Sequence, residues 1–226
     1  MANENGNCST GGENKECITS YVDDGSVESH RLYLSRRTVL EMLRDRGYLV
    51  PDSELSRSLA DFRSEFGPKF DLERLRLCFS LVSEPSKKIL VIFCGTDEIR
   101  KADILAIFRQ IVNKESLHRL MLILQSKMNS FARKEADNFS AKVEIFQITE
   151  LLVNVTKHIL MPKHKILTAA EKQILLKKYK LEDKQLPRML QNDAIARYYG
   201  LEKGQVMRVA YRDGITGSLV TYRCVM

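Results

Sequence analysis

The side chains that most often bind structural metal ions are scattered along this chain. Its five cysteines, Cys8, Cys17, Cys78, Cys94 and Cys224, include no close pair, whereas tetrahedral zinc sites are built from closely spaced ligands. An odd and dispersed set of cysteines is typical of reduced thiols in the cytosol or nucleus. The sequence therefore predicts no metal site built from cysteine.

Histidine spacing and nucleotide-binding motifs show no catalytic pattern either. His158 and His164 flank Pro162, which disfavours a single helix that would carry both as ligands. Neither G-x-x-x-x-G-K-[ST] nor G-x-G-x-x-G occurs, so no loop of these types can hold phosphates. Cys78 and Cys94 fall in expected strands, where burial favours packing over reactivity. We expect no catalytic residue, no metal and no cofactor.

A metal-dependent nuclease is the catalytic class that needs the closest comparison. Such enzymes place clustered acids and a lysine on adjacent strands, where they hold a divalent metal and activate water. The apolar segment at residues 89–94 carries no acid or lysine, and residues 119–124 carry only Arg119 at one end. Asp97 and Glu98 follow the first segment, where they suit the start of a helix. These observations argue against a nuclease.

Charge is distributed unevenly along the chain. Residues 1–29 carry one lysine and six acids, whereas residues 154–226 carry 14 basic and six acidic residues, a net charge of +8. In the basic part, "DAIARYYGLEKGQVMRV" begins with Asp193 as a helix cap and has Gly200 as a stop. Arg197 and Arg208 in this segment suit either nucleic-acid phosphate or the carboxylates of a protein partner. Local chemistry leaves both possibilities open.

The first helix poses the same question. Five arginines lie on it, and Glu41 and Asp45 lie among them at spacings that pair on a helix surface. The arginines therefore fit phosphate contacts or an ordinary solvated face equally well. They are Arg31, Arg36, Arg37, Arg44 and Arg46.

The hydrophobic pattern of residues 30–150 predicts an α/β layer domain with a mainly parallel sheet. Leu32, Val39 and Leu43 define a helix that Gly47 ends, and a second helix is expected to start with Asp52 as its cap. Strands follow near residues 75–81, 89–94, 119–124 and 142–146, with helices near 98–113 and 128–137 between them. Strands alternating with helices favour parallel pairing. The acidic residues 1–29 have few large apolar side chains, so we expect them to be disordered.

Residues 154–226 predict a separate, small α+β domain with the order β-α-β-α-β-β. Thr168 and Glu171 form a capping box at the start of a helix, which "QLPR" should end. The short helix after Asp193 and two final strands, near 205–211 and 218–225, complete the unit. No apolar run is long enough to span a membrane.

Several long segments resemble one known family. "HILMPKHKILT", "LLKKYKLEDKQLPR", "DAIARYYGLEKGQVMRV" and "VTYR" are similar to the fifth-largest subunit shared by eukaryotic DNA-dependent RNA polymerases. "LRDRGYLVPDSEL" is a second match, in the first domain, and the resemblance covers residues 30–226. The last 70 or so residues also resemble a small archaeal RNA polymerase subunit that consists of this module alone.

The resemblance implies a role for each domain. The first would be a nuclease-like, three-layer fold without nuclease residues, located at the polymerase jaw near downstream DNA. The second would be an assembly module that docks onto the largest subunit. Matching positions imply an assembly interface formed by His164, Gln185, Pro187, Arg188, Asp193, Arg197, Tyr198, Gly200, Gly204, Gln205, Tyr222 and Arg223. The expected function is that of a non-catalytic, nuclear polymerase subunit with weak, sequence-independent DNA contacts.

Three departures from the usual family pattern indicate a specialised form. Ala194 stands where the family has proline, "YRDGITGS" replaces a turn of the type R-x-S-x-T-A-G, and "FCGTDE" replaces "FFPDE". The acidic extension is also additional. These features are similar to the divergent plant form that serves RNA polymerase V and RNA-directed DNA methylation. A shared subunit of RNA polymerase II, a free DNA-binding regulator and a stand-alone nuclease-like protein are the alternatives.

Overall fold

The computed structural model describes residues 26–67, 71–111, 116–213 and 217–226. Helix α1 (Val27–Asp45) begins before the expected boundary at residue 30, because the Ser26 side chain accepts a hydrogen bond from the Ser29 amide and caps it. Residues 26–29 are therefore part of the folded unit, which corrects the predicted boundary. Residues 1–25, the rest of the segment expected to be disordered, lie outside the described residues.

Helix α1 ends as its sequence predicts. Gly47 has φ 87°, and the Tyr48 amide donates to the Leu43 carbonyl while the Gly47 amide donates to the Arg44 carbonyl. This pair of bonds is the Schellman arrangement, which requires a residue in the left-handed region. The predicted apolar face of the helix is confirmed, since Leu32 and Val39 are fully buried.

The single helix expected after Pro51 is instead two helices, α2 (Asp52–Ser56) and α3 (Leu59–Phe66). The Ser58 side chain accepts a hydrogen bond from the Asp61 amide, and Asp61 accepts one from the Ser58 amide. This capping box starts a new helix and interrupts the old one. Asp52 is the first residue of α2, not its cap, because Pro51 occupies the cap position.

The N-terminal unit, which we define as residues 26–151, contains one four-stranded sheet in the order β1-β2-β3-β4. Strand β1 is antiparallel to β2, whereas β2, β3 and β4 are parallel. The two parallel connections contain one helix each, α4 and α5. The elements are β1 (Leu77–Ser80), β2 (Lys88–Phe93), α4 (Lys101–Gln110), β3 (Leu117–Leu124), α5 (Ser130–Asp137) and β4 (Lys142–Gln147).

Helices cover both faces of this sheet. On one face, α1 and α3 pack on a core that contains Leu43, Phe62 and Val91. On the other face, α4 and α5 pack on a core that contains Ile104 and Leu122. The central strands β2 and β3 are apolar on both faces because both faces are covered. Helix α4 starts later than expected, and the Arg100 amide donates to Asp103, so Asp97 and Glu98 do not cap it.

The C-terminal unit, which we define as residues 153–226, contains a second four-stranded sheet in the order β5-β7-β8-β6. Helix α6 has the predicted Thr168–Glu171 capping box, but it ends at Lys180, which has φ 52°, before the "QLPR" segment. The elements are β5 (Lys163–Ile166), α6 (Ala169–Tyr179), β6 (Arg188–Met189), α7 (Ala194–Tyr199), β7 (Val206–Asp213) and β8 (Gly217–Val225). Short 3₁₀ turns occur at Ile148–Leu151, Val155–Lys157 and Asp183–Gln185.

The two helices of the C-terminal unit cover opposite faces of its sheet. Leu175 of α6 packs with Val206 and Cys224, whereas Ile195 of α7 packs with Met207. Side chains alternate between the faces along each strand. We name these two sides the α6 face and the α7 face.

Replacement of the Ser58 cap by alanine should destabilise the protein by about 1 kcal/mol, because the first-turn amide of α3 loses its acceptor. Ser56→Ala is the matched control, since the Ser56 hydroxyl only donates a long, 3.4 Å bond to the Ser53 carbonyl and caps no helix. The free energies of unfolding of both variants can be compared by urea denaturation. Equal stabilities for the two variants would contradict the assignment of Ser58 as the cap.

Candidate assembly interface

Helix α7, which belongs to the most family-like segment, joins the two units. The Asp193 side chain accepts a hydrogen bond from the Ile195 amide, and Gly200 ends the helix with φ 63°. Ile195 faces the core of the C-terminal unit. Tyr198, only 4% exposed, instead packs into the core of the N-terminal unit. The helix therefore contributes side chains to both hydrophobic cores.

Two arginines of the N-terminal unit bind the carbonyl end of α7. Arg46 donates from Nε to the Tyr198 carbonyl and from Nη2 to the Arg197 carbonyl, both at 2.7 Å. Arg119 donates from Nη1 to the Gly200 carbonyl at 3.0 Å. The last carbonyls of a helix have no partner within the helix and carry partial negative charge. The guanidinium groups supply the complementary charge and the missing donors for Tyr198 and Gly200, while the Arg197 carbonyl also accepts from the Gly200 amide.

Glu144 of β4 balances these two cations. Its carboxylate lies 2.6 Å from Arg119 Nη1, with hydrogen-bond geometry, and 2.8 Å from Arg46 Nη2. Its Oε2 accepts no hydrogen bond among the described residues, so the contact with Arg46 acts mainly through charge. Burial alone would raise the pKa of Glu144, but the charges of Arg46 and Arg119 outweigh it and hold the pKa below its ordinary value.

Arg197 of α7 in turn extends its side chain to the N-terminal unit, where it contacts β4. Its guanidinium carbon lies 4.5 Å from the centre of the Phe146 ring, a cation–π distance. Its Nη2 donates to the Ile145 carbonyl at 2.7 Å and to Glu150 at 2.9 Å. Burial of Glu150 acts to raise its pKa, but its bond and charge interaction with Arg197 lower the pKa overall.

A third set of polar contacts surrounds the Tyr198 hydroxyl. This group donates to Asp45 at 2.7 Å and accepts from Asn154 at 3.2 Å. Asn154 also donates to the buried Glu41 at 2.8 Å, and Lys157 forms an ion pair with Glu41. Residues 154–157 lie at the start of the C-terminal unit, so this network fixes that start to α1. We name the whole set the joint: Glu41, Asp45, Arg46, Arg119, Glu144, Phe146, Glu150, Asn154, Lys157, Arg197, Tyr198 and Gly200.

Three residues predicted to face a partner therefore contact this chain's own N-terminal unit. Arg197, Tyr198 and Gly200 are all members of the joint, and Asp193 caps the helix that carries them. Arg46 was expected among solvent-facing or phosphate-binding arginines, but its side chain is 4% exposed. Arg36 is also buried, in an ion pair with Glu54. Neither arginine fits a solvated face, which corrects that expectation.

Four other predicted interface residues make local bonds: Pro187, Gly204 and Gln205 bind the end of β8, and Gln185 binds the turn that precedes β6. The Cys224 amide donates to the Pro187 carbonyl, the Gly204 amide to the Val225 carbonyl, and the Val225 amide to the Gln205 carbonyl. The side chains of Gln185 and Gln205 accept bonds from the amides of Glu182 and Glu202. The two side-chain bonds give each glutamine a local role, and the positive φ of Gly204, 83°, favours glycine there. Gln185, Pro187 and Gln205 remain exposed.

The remaining four predicted residues are divided between the faces of the C-terminal sheet. His164 and Arg223 lie on the α7 face, because they align with Val209 and Met207. Arg188 and Tyr222 lie on the α6 face, beside Cys224 and Arg208. Burial lowers the pKa of His164, so burial favours its neutral form.

Part of the α6 face is not covered by α6, and this part carries more basic than acidic side chains. Lys165, Arg208 and Tyr222 are direct neighbours across β5, β7 and β8, and Lys163 precedes them on the same face. Lys165 is paired with Glu171 at 2.6 Å. Within the described ranges, Lys163, Arg188 and Arg208 have no carboxylate within ion-pair distance. This face is suited to an acidic partner surface.

Known site types are not found in the part of the chain that the structure describes. No three histidine, cysteine, aspartate or glutamate side chains gather there as a metal-binding group. No helix in the described ranges has the length and apolarity needed to cross a membrane. Burial raises the pKa of the Cys94 thiol to about 11, so this cysteine is not a thiolate nucleophile at neutral pH.

Sequence comparisons agree with the two-unit architecture. A family model described as RNA polymerase Rpb5, N-terminal domain, matches residues 26–111, and one described as RNA polymerase Rpb5, C-terminal domain, matches residues 153–225. The chain is 51% identical, over 218 residues, to DNA-directed RNA polymerase V subunit 5C of Arabidopsis thaliana, covering 96% of this chain and 94% of that protein.

Two further relatives extend the comparison. DNA-directed RNA polymerases IV and V subunit 5B of Arabidopsis thaliana is 47% identical over 215 residues, which are 95% of this chain and 99% of that protein. DNA-directed RNA polymerases I, II, and III subunit RPABC1 of Caenorhabditis elegans is 35% identical over 210 residues, 90% of this chain and 99% of that protein.

Gly200→Ala should destabilise the protein by about 2–4 kcal/mol, because it combines backbone strain with a clash in the joint. A Cβ atom at Gly200 would lie 2.7 Å from Arg119 Nη1 and 3.0 Å from Arg46 Nη1. Gly204→Ala is the control, since Gly204 also has positive φ but a Cβ there meets nothing within 4 Å. That variant should lose only about 1 kcal/mol. Urea unfolding measures both, and equal losses would refute a close fit at Gly200.

Acid should weaken the joint below about pH 4.5, the ordinary glutamate pKa. Glu41, Glu144 and Glu150 have lowered pKa values in the folded protein, so the unfolded chain takes up more protons as pH falls. Their contribution to stability is complete above pH 4.5 and is lost as pH falls through their folded pKa values. Urea unfolding at a series of pH values measures this loss.

Glu144→Gln tests how much of that acid sensitivity comes from Glu144. The variant should be about 3 kcal/mol less stable at pH 7, because Arg46 and Arg119 lose their counter-charge, and it should lose less stability between pH 4.5 and pH 2. Glu73→Gln is the control, since Glu73 is 65% exposed and forms a single, 3.4 Å ion pair. An unchanged pH profile for Glu144→Gln would show that Glu144 does not balance the joint.

Proposed function

Because the chain belongs to the RNA polymerase Rpb5 family, we propose that it is a non-catalytic assembly subunit of a nuclear DNA-directed RNA polymerase. The observation that carries this proposal is the match of both Rpb5 domain models, in order, to the two structural units of one chain. The joint then holds two family domains in one arrangement. Nucleotide addition belongs, in this proposal, to other subunits.

The polymerase class is proposed to be RNA polymerase V, and the pathway RNA-directed DNA methylation. Support comes from the difference in similarity, since subunits named for polymerases IV and V are 47–51% identical, and a subunit named for polymerases I, II and III is 35% identical. A subunit shared with RNA polymerase II is the alternative.

For the N-terminal unit we propose the jaw position near downstream DNA. Its layers, with helices on both faces of a sheet that has one antiparallel and two parallel pairs, are consistent with the expected nuclease-like fold. The carboxyl end of β2 has Asp97 and Glu98 but no described cluster of metal ligands. In this proposal, DNA contacts involve phosphates and are weak and independent of sequence.

For the C-terminal unit we propose docking onto the largest subunit through the α6 face. Lys163, Arg188 and Arg208 are cations with no carboxylate within ion-pair distance among the described residues, and Tyr222 adds a half-buried aromatic ring between them. Charged and aromatic side chains on one face favour an acidic protein surface with apolar parts. Arg188 and Tyr222 were predicted interface residues, and Lys163 and Arg208 extend the set.

The joint gives this docking a mechanical consequence. Since Arg46, Arg119 and Glu144 fix α7 to the N-terminal unit, a partner that binds the C-terminal unit also sets the orientation of the N-terminal unit. The proposed role is thus to hold the jaw at a defined position relative to the largest subunit.

The test of the proposed function is purification of the tagged chain from nuclear extract, with mass spectrometry of the large polypeptides. Recovery of the largest subunit of RNA polymerase V, without that of RNA polymerase II, would support the dedicated role. Recovery of the RNA polymerase II subunit would retain the family role and reject the specialised one. Recovery of no polymerase would favour a free regulator or a nuclease-like DNA-binding protein.

Arg188→Glu should weaken incorporation about tenfold, which corresponds to about 1.4 kcal/mol, because it reverses an exposed charge on the proposed docking face. Lys127→Glu changes the net charge equally but lies in the N-terminal unit, so it should incorporate normally. Competition of each variant against tagged wild-type chain during assembly measures the difference. Equal incorporation of the two variants would argue against the α6 face as the docking surface.

A further inference from the structure

Strand β4 forms an edge of the N-terminal sheet that no other described strand pairs with. It is the last strand in the order β1-β2-β3-β4, and β3 pairs with one side of it. An edge strand exposes backbone N–H and C=O groups that can pair with another chain. The identity of the outward groups can be read from two hydrogen bonds.

The Arg197 side chain donates to the Ile145 carbonyl, so the backbone groups of Ile145 point away from β3. Between β2 and β3, the Cys94 amide donates to the Ile123 carbonyl, so the backbone groups of Ile123 point toward β2. Those of its neighbour Leu122 therefore point toward β4. Both bonds therefore indicate that β4 pairs with β3 through the backbone groups of Glu144 and Phe146. Because these directions alternate along a strand, Val143 and Ile145 point outward together.

Three outward backbone groups therefore remain available. The Val143 amide, the Val143 carbonyl and the Ile145 amide have no hydrogen-bond partner among the residues that the structure describes. Toward the end of the strand, the Gln147 amide is satisfied by Glu150. The available groups are thus confined to Val143 and Ile145.

These groups face an open cleft of about 610 Å³ between the two units. Gln191 and Asn192, in the loop before α7, line the opposite wall, and their side-chain amides make no hydrogen bond within the described ranges. A primary amide both donates and accepts, as a peptide backbone does. A strand that adds to β4 would therefore have its remaining backbone N–H and C=O groups directed toward the side-chain amides of Gln191 and Asn192.

The charges of the cleft favour a peptide over a nucleic acid. Its lining has equal numbers of basic and acidic side chains, so it has no excess of positive charge that would attract phosphates. These side chains are Arg133, Lys142, Arg197, Asp137, Glu144 and Glu150. Of the basic ones, Arg133 has no carboxylate partner among the described residues. Val143 and Ile145 are half-buried on the α5 side of the strand, so apolar side chains of an added strand could pack beside them. Arg133 would pair with one carboxylate of that strand.

We propose that this cleft binds an extended peptide segment of another polymerase subunit, which adds to β4 as a fifth strand. The segment has apolar residues at alternating positions and an acidic residue opposite Arg133. Such strand addition obtains its affinity from backbone bonds and its selectivity from alternate side chains. The proposal rests on the proposed function only in that the partner belongs to the polymerase.

Hydrogen exchange resolved to single amides, measured on the free chain and on the purified polymerase, tests the proposal. The Val143 and Ile145 amides should exchange at least about tenfold more slowly in the polymerase, because strand addition gives both a backbone acceptor. The Phe131 amide in the first turn of α5, bonded to the side chain of the capping Asn129, is an internal reference that should change little.

Val143→Pro tests the strand itself. Proline is tolerated on an edge strand where the N–H points outward, so the variant should fold while it removes one donor for the added strand. Val143→Ala is the control, since it shortens the side chain but retains the amide. In assembled polymerase, protection of the Ile145 amide should be lost in Val143→Pro and retained in Val143→Ala.

Four results would overturn the proposal in distinguishable ways. An incorporated chain with unprotected amides would reject the added strand but leave the proposed function intact. Equal protection in both variants would mean that the cleft is covered without backbone pairing. Protection of the free chain that increases with its concentration would identify a second copy as the occupant. Failure of wild-type chain to enter any polymerase would reject the proposed function as well.

Discussion

The arrangement of the whole molecule depends on the capture of one helix end by two arginines. Helix α7 has six residues, too few to be stable by itself, and three of its terminal carbonyls are bound by Arg46 and Arg119 from the other unit. Arg46 ends α1 and Arg119 belongs to β3, so one helix end links two separate elements of the N-terminal core. The Tyr198 ring, inserted into that core, adds apolar burial to these bonds.

Burial strengthens the electrostatic interactions of this arrangement and also imposes a desolvation cost on its charged groups. Two guanidinium groups of low exposure carry a large desolvation cost, which Glu144 offsets through opposite charge and the helix carbonyls offset through hydrogen bonds. The compensation is incomplete, because Arg46 Nη1 is buried without a partner among the described residues. Such a network stabilises one relative orientation of the units more strongly than it stabilises either unit alone, because a shifted helix would leave buried charges unpaired.

Local sequence signals predicted the elements but not this joint. The apolar periodicity of α1, the glycine stop at Gly47 and the Thr168 capping box act over a few residues, and each can be read from a short segment. The Ser58 cap that divides α2 from α3 was also readable, since Ser58 and Asp61 have capping-box spacing. In contrast, Arg46 and the carbonyl that it binds are 152 residues apart in sequence. Nothing near Arg46 distinguishes it from the exposed Arg44.

The same limit applies to interpretation of the family-like segment. Its residues identify the family, yet the structure assigns Arg197, Tyr198 and Gly200 to contacts within the chain. A recognisable motif thus shows that a residue is constrained without showing which surface imposes the constraint. Only the geometry separates residues that hold the units together from residues that remain available to a partner.

That separation explains how such a chain can diverge while it keeps its architecture. Ala194 is exposed at the first position of α7, where proline and alanine both fit because that amide needs no partner within the helix. The segment "FCGTDE" begins at the end of β2, and "YRDGITGS" begins in β7 and ends in β8. None of these departures is a residue of the joint. Substitutions can therefore alter the surfaces that meet other proteins while Arg46, Arg119 and Glu144 keep the two units in one orientation.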